Sequence, residues 1–292
     1  MVQSRFRKCA VGMAIGAVAI MAIAARAQEH DSVPSGPAPV LMTVREMVQP
    51  GAEAAHAKLE AEYTAVLDAS KGSQYYLGMG AITGKPETMF LSGYASLEEM
   101  SEVHDHDDAI MGDKLAGLDE DHSGTLAGMD TAIWRLRPDL SNPDTVNLAK
   151  MRFMELIQIH VRLGHSAAFA DVFKPIREDW MKADPGFRYS VYQQTFGSAK
   201  DDSYLVVIAV KSLADLDKHR AKMAEYQKTL GEDAQKQMLD FESANYNSVE
   251  SNLFVFTPGM SRLPARWTKD DADFWNPKPT AAVPAKKPAK AK

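Results

Sequence analysis

The sequence predicts an α+β protein in which two copies of a β-α-β-β-α-β unit close face to face into one barrel. Three observations predict it. Alternating apolar runs and helical stripes follow one another in the same order twice. Punctuating residues return in the second copy: Gly51 and Gly164, Ser96 and Ser212, Pro138 and Pro258, displaced by 113, 116 and 120 positions as loop insertions would displace them. The strands are apolar on both faces, so each sheet needs a layer on the side its helices leave bare.

In the first unit, residues 40–141, Leu41 to Val48 alternates as a strand and Pro50-Gly51 stops it. Glu53 to Ser70 carries Ala55, Leu59, Tyr63, Val66 and Leu67 at helical spacing. Gln74 to Ile82 and Thr88 to Tyr94 read as strands joined by the Gly84-Lys85-Pro86 turn. Ser96 with Glu99 has capping-box spacing and opens a helix striped by Leu97, Met100, Val103 and Ile110. Ala132 to Leu136 is a short last strand.

The second unit, residues 148–262, repeats this order. Met151 to Val161 is a strand, with Met154 and Leu156 on one face and Ile157, Ile159 and Val161 on the other. Phe169, Val172, Phe173, Ile176 and Trp180 stripe the next helix. Phe187 to Phe196 and Ser203 to Val210 form the middle hairpin, Ser212 opens a helix, and Leu253 to Phe256 ends at Pro258. Each unit has the split β-α-β pattern of a ferredoxin-like fold.

The ends differ in kind. Arg5, Arg7 and Lys8 precede an uncharged run from Cys9 to Ala25, and Ala25-Arg26-Ala27 supplies small residues for signal cleavage before Gln28. Residues 1–27 are therefore expected to be a signal peptide of an exported protein, periplasmic or secreted, with no membrane span after cleavage. Residues 28–39 read as a polar, Pro-rich linker. Residues 263–292 are an extension in which Trp267, Phe274 and Trp275 would dock on the body before a Pro/Ala/Lys tail. Of the net charge of −6, residues 1–27 carry +4 and 269–292 carry +3, which leaves −13 on the body. That excludes nucleic acid as the body's partner. The lone cysteine excludes a disulfide framework and a Cys-based zinc site.

The strand Val40 to Val48 ending in Pro50-Gly51, its echo from Met151 through Leu163-Gly164, and the helix starts at Ser96 and Ser212 carry a resemblance. The chain resembles a tandem member of the dimeric α+β barrel superfamily, which includes antibiotic-biosynthesis-monooxygenase-like and NIPSNAP-like domains. The resemblance spans roughly residues 40–262 and implies a pseudo-dimeric α+β barrel. It implies no single activity, because the superfamily holds cofactor-free oxygenases, haem-handling enzymes, isomerases and proteins without known activity. No catalytic residue carries over.

Candidate residues come from the sequence itself. Leu216, His219, Met223, Tyr226 and Leu230 share a helical stripe in the second unit, where Val103 holds the place of His219 in the first. A polar residue replacing an apolar one suggests a helix–sheet cleft in which His219 acts as acid/base or ligand contact. The alternative is a core-edge histidine hydrogen-bonded to backbone. Gln158 and His160 share the strand face of Met154, and Arg45 aligns with Gln158, so these three form either a structural polar network or a ligand's polar anchor between the sheets. His104 and Asp108 share a helix face but lack a third histidine at ligand spacing. Asp119, Asp121, Ser123 and Asp130 fall at the first, third, fifth and last positions of a calcium loop, with Asp in place of the final Glu; the alternative is a polar helix end.

The function expected is an exported barrel that binds a small, largely apolar molecule in that cleft, with ligand contacts Arg45, Gln158, His160, His219 and Tyr226. Two alternatives stand beside it: a cofactor-independent monooxygenase-type enzyme using His219 or His160, and a calcium-stabilised structural protein. No other cofactor is expected, and a homo-oligomer is left open.

Overall fold

The computed structural model describes residues 37–142 and 146–276. The expected signal peptide, the linker up to residue 36 and the tail from residue 277 lie outside the described residues. Along the chain run β1 (Val40–Val48), α1 (Glu53–Ala69), β2 (Leu77–Ala81), β3 (Glu87–Tyr94), α2 (Leu97–Met111), α3 (Ala116–Ser123) and β4 (Leu126–Leu136). Then follow β5 (Phe153–Val161), α4 (Ser166–Ala183), β6 (Ser190–Phe196), β7 (Asp202–Val210), α5 (Leu213–Thr229), α6 (Glu232–Asn245) and β8 (Tyr246–Phe256). Two short helices, α7 (Ala265–Asp270) and α8 (Ala272–Trp275), complete the described chain.

The eight strands form one closed barrel in the order β1-β3-β2-β8-β5-β7-β6-β4. All pairings are antiparallel. Strands β1 to β4 are contiguous in this ring, as are β5 to β8, and two seams join them. At one seam Met79 faces Phe256, and at the other Leu136 faces Tyr192. Closure removes both exposed edges that an open sheet would leave. No helix among the described residues is long and apolar enough to cross a membrane.

Local chemistry accounts for the punctuation. Gly51 and Gly164 both hold left-handed backbone, at φ +88° and +84°, where a Cβ is disfavoured. Ser96 Oγ accepts from the Glu99 N–H at 3.1 Å, and Ser212 Oγ accepts from the Asp215 N–H at 3.2 Å. Each thus satisfies a donor that the first helical turn leaves open.

Two last strands are longer than their apolar residues predict. β4 starts at Leu126, not Ala132, because it pairs with β1 along its whole length, and β8 starts at Tyr246 because it does the same with β5. A hydrogen-bond ladder extends them where side-chain apolarity has ended. β2 is shorter than expected because Asp107 of α2 captures the Ser73 and Gln74 N–H groups at 2.6 and 3.0 Å. Helix α3 ends in the stretch whose alternative reading is a polar helix end, whereas α6 has no counterpart in the sequence reading.

Strand alternation splits the core. Leu41, Leu91, Trp134, Met154, Leu156, Leu205 and Phe254 fill the lumen. Ile159, Val161, Phe169, Phe173 and Tyr204 pack on the helix side of the second half. The division of Met154 and Leu156 from Ile159 and Val161 follows the two-residue period read from sequence. The C-terminal extension docks on the barrel. Trp275 is buried against Phe256 and donates to the Ala149 carbonyl at 2.8 Å, and Arg152 sits over the Phe274 ring and pairs with Asp271.

Candidate functional site

One end of the lumen is not filled. A cavity of about 840 Å³ lies there, walled by Leu41 and Leu91 from the first half and by Met154, Tyr192, Val207 and Ala209 from the second. Leu263 and Trp267 from the C-terminal extension, with Leu148 and Ala149 before β5, cover it. Glu99, Arg188, Arg266 and Asp270 stand around its mouth. Burial pushes the Tyr192 phenol well above its ordinary pKa, so this hydroxyl is neutral at any physiological pH. An apolar wall with a charged rim suits a molecule with an apolar body.

None of the five expected ligand contacts lines this cavity. Arg45, Gln158 and His160 do face the lumen, as alternation predicted, but they stand toward the C-terminal ends of β1 and β5. The cavity takes Leu41 and Met154 from the N-terminal ends, and each intervening residue adds about 3.3 Å. Arg45 pairs with Glu87 at 3.2 Å. Gln158 faces Leu205 and Glu250 in the ladder. His160 Nδ1 lies 2.9 Å from Asp201 and 3.1 Å from Ser203 Oγ.

His219 and Tyr226 lie on the other side of the sheet, on α5. The space where a cleft was expected is occupied: Phe187 stacks on the His219 ring, and Asp184 lies 3.2 Å from its Nδ1. Burial holds this imidazole below its ordinary pKa although Asp184 pulls the other way. Lys222 closes the group with a 2.7 Å contact to Asp184.

The expected calcium ligands do not share a loop. Asp119, Asp121 and Ser123 stand on α3, while Asp130 stands on β4 and accepts from Ser198 at 2.8 Å. A helix running into a strand lacks the turning backbone of a calcium loop. His104 borders a second, smaller cavity, and Asp108 is exposed.

A different cluster was missed. Glu46 of β1, His56 and Glu60 of α1, and His122 of α3 bring four donor atoms together. His56 Nε2 is 2.8 Å from Glu46 Oε2 and 3.9 Å from Glu60 Oε1. His122 Nε2 is 2.7 Å from Glu60 Oε1 and 3.4 Å from Glu46 Oε2. The two imidazoles stack, with centroids 5.1 Å apart. His56, Glu46 and Glu60 are buried, and His122 is half-buried. Burial would raise Glu46, but His122 and His56 hold it below the ordinary carboxylate value. Burial would lower His122, but the two carboxylates raise it to about 10. The signal in the sequence was the spacing of His56, Glu60 and Leu67, four and seven residues apart. These are the buried residues of α1, whereas Ala55, read as inward, is exposed.

The closed antiparallel barrel with outer helices is the fold of dimeric α+β barrel proteins. An anthrone oxidase-like protein is similar in structure, at TM-score 0.52 and 11% identity over 77% of this chain and 94% of that one. A candidate monooxygenase from Fusobacterium nucleatum matches at TM-score 0.49 and 17% identity, over 75% and 93% of the two chains. A mutant chlorite dismutase from Candidatus Nitrospira defluvii matches at 0.46 and 9%, over 76% and 93%. These likenesses concern the fold. No family model matches the chain, and no curated protein matches it.

Proposed function

We propose that this chain is an exported two-repeat barrel that binds a small, largely apolar molecule in its lumen. The cavity of about 840 Å³ under Leu263 and Trp267 carries this reading. The ligand site moves from the expected helix–sheet cleft, which Phe187 occupies, to the end of the barrel. The two-repeat reading is supported by the ring order, in which each half contributes four neighbouring strands arranged as 4-1-3-2. Export is supported by the basic, apolar and small-residue stretches of residues 1–27.

The test is native mass spectrometry of protein taken from its own host, with Ala209→Phe as the cavity-filling variant. The expected result is a retained small molecule that the variant lacks while its circular dichroism is unchanged. Host protein that carries nothing and takes up no apolar fluorophore would sink the proposal. The likeness to an anthrone oxidase-like protein supports the monooxygenase-type alternative at the level of fold alone. Oxygen uptake lost in Ala209→Phe would favour it.

A further inference from the structure

We propose that Glu46, His56, Glu60 and His122 bind a divalent first-row transition-metal ion, at a site separate from the lumen cavity. One donor atom from each residue lies within 4.8 Å of all the others. Four of the donor–donor distances run from 2.7 to 3.9 Å. The ligands of a tetrahedral ion with bonds of about 2.0–2.1 Å stand about 3.4 Å apart. The observed spacings straddle that value, so sub-ångström shifts would seat the ion. Two imidazoles with two carboxylates favour the transition series over calcium or magnesium, which prefer all-oxygen sites.

The second half of the chain shows what this place in the fold needs when it binds nothing. Glu46 is the seventh residue of β1, and His56 and Glu60 are the fourth and eighth of α1. The same places in β5 and α4 hold Ile159, Phe169 and Phe173, all in the apolar helix-side core. Hydrocarbon therefore satisfies the packing there. Buried carboxylates are costly beside such an alternative, because a buried ionic group often stabilises less than hydrocarbon of similar volume. The ion pairs with His56 and His122 compensate the two carboxylates in part, and a doubly charged ion held by two neutral imidazoles would balance both in full.

The orientation of His122 points the same way. Its Nε2 is buried and makes no well-directed hydrogen bond, despite lying 2.7 Å from Glu60. This nitrogen faces oxygens of both carboxylates, which is where a ligand nitrogen of a shared ion would stand. Glu46, Glu60 and His122 also border a chamber of about 130 Å³ lined by Met42, Val44 and Phe90. That space gives an ion an approach path and room for water or a small ligand.

The experiment uses the full chain, stripped with a chelator and dialysed against zinc. The expected result is one equivalent of zinc per chain. Glu60→Gln and His122→Ala should weaken binding by ~100-fold or more. His106→Ala, on exposed α2 surface, and His219→Ala, in the half-buried pair with Asp184, should leave it unchanged. Cobalt in place of zinc should give the strong visible bands of a four-coordinate N/O site in the unmutated chain. That readout holds even if a variant fails to fold. No stoichiometric zinc, zinc held equally by the ligand variants, or only the weak spectrum of a six-coordinate surface ion would overturn the proposal.

Discussion

Phe187 and His219 lie flat against one another, their ring planes 7° apart, with Asp184 beyond the imidazole and Lys222 beyond Asp184. This stack should make the fold less stable in acid. His219 is held below its ordinary value of 6.5, chiefly by burial, so the unfolded chain takes up a proton that the folded chain resists. Its contribution is complete above 6.5 and is lost as pH falls through the lowered value. Asp184 is held below 3.8: burial opposes this, and Lys222 and His219 outweigh it. Its contribution is present above 3.8 and disappears at still lower pH. Above pH 6.5 the raised His122 works in the opposite sense, so thermal melts should decline in these two stages from pH 6.5 to pH 3, and His219→Phe should remove the first. A decline below pH 6.5 that His219→Phe leaves unchanged would contradict the assignment.

Trp275 anchors the C-terminal extension through its Nε1 contact to the Ala149 carbonyl and its packing on Phe256 and Phe274. Trp275→Ala should cost about 3–5 kcal/mol, the range for a buried aromatic cut to alanine. Urea unfolding followed by circular dichroism measures it. A loss within about 0.5 kcal/mol would place the extension off the barrel in solution.

Gly51 and Gly164 isolate backbone strain, because an added Cβ would meet nothing within 4 Å at either position. Gly51→Ala and Gly164→Ala should each destabilise by about 1–2 kcal/mol, and asparagine should be milder at both. Chemical denaturation of the four single variants tests this. Equal effects of alanine and asparagine would point away from the left-handed backbone as the cause.

Trp267 covers the lumen cavity without being fully buried. Trp267→Ala should leave the melting temperature within ~2 °C and speed release of an apolar fluorophore in stopped flow. An unchanged release rate would mean that ligand enters elsewhere.

Much of the barrel was legible because its signals are local. Two-residue alternation separated Met154 from Ile159, left-handed glycines marked both strand ends, and serine caps marked both helix starts. The full lengths of β4 and β8 were not legible, since their polar halves are held by ladders to β1 and β5 rather than by side-chain burial. The site was less legible than the fold. Alternation put Arg45, Gln158 and His160 on the lumen face but says nothing of depth along the barrel. His219 read as a cleft residue because the chain distance to Phe187 hides their contact. Glu46, His56, Glu60 and His122 come from a strand and two helices, and only folding makes one cluster of them. His122 sits inside the acidic stretch read as a calcium loop, but that reading uses its neighbours Asp121 and Ser123 and gives His122 no role.

The two seams of the ring have a kinetic meaning. β2 meets β8 through three residue pairs and β4 meets β6 through four, whereas β5 and β7 share nine. Both seams join strands already tethered by one polypeptide, so barrel closure is a first-order event whose rate does not change on dilution. A barrel assembled from two separate chains would come apart as it became scarce. This one stays sealed at any abundance, a useful property for a protein proposed to work outside the cytoplasm.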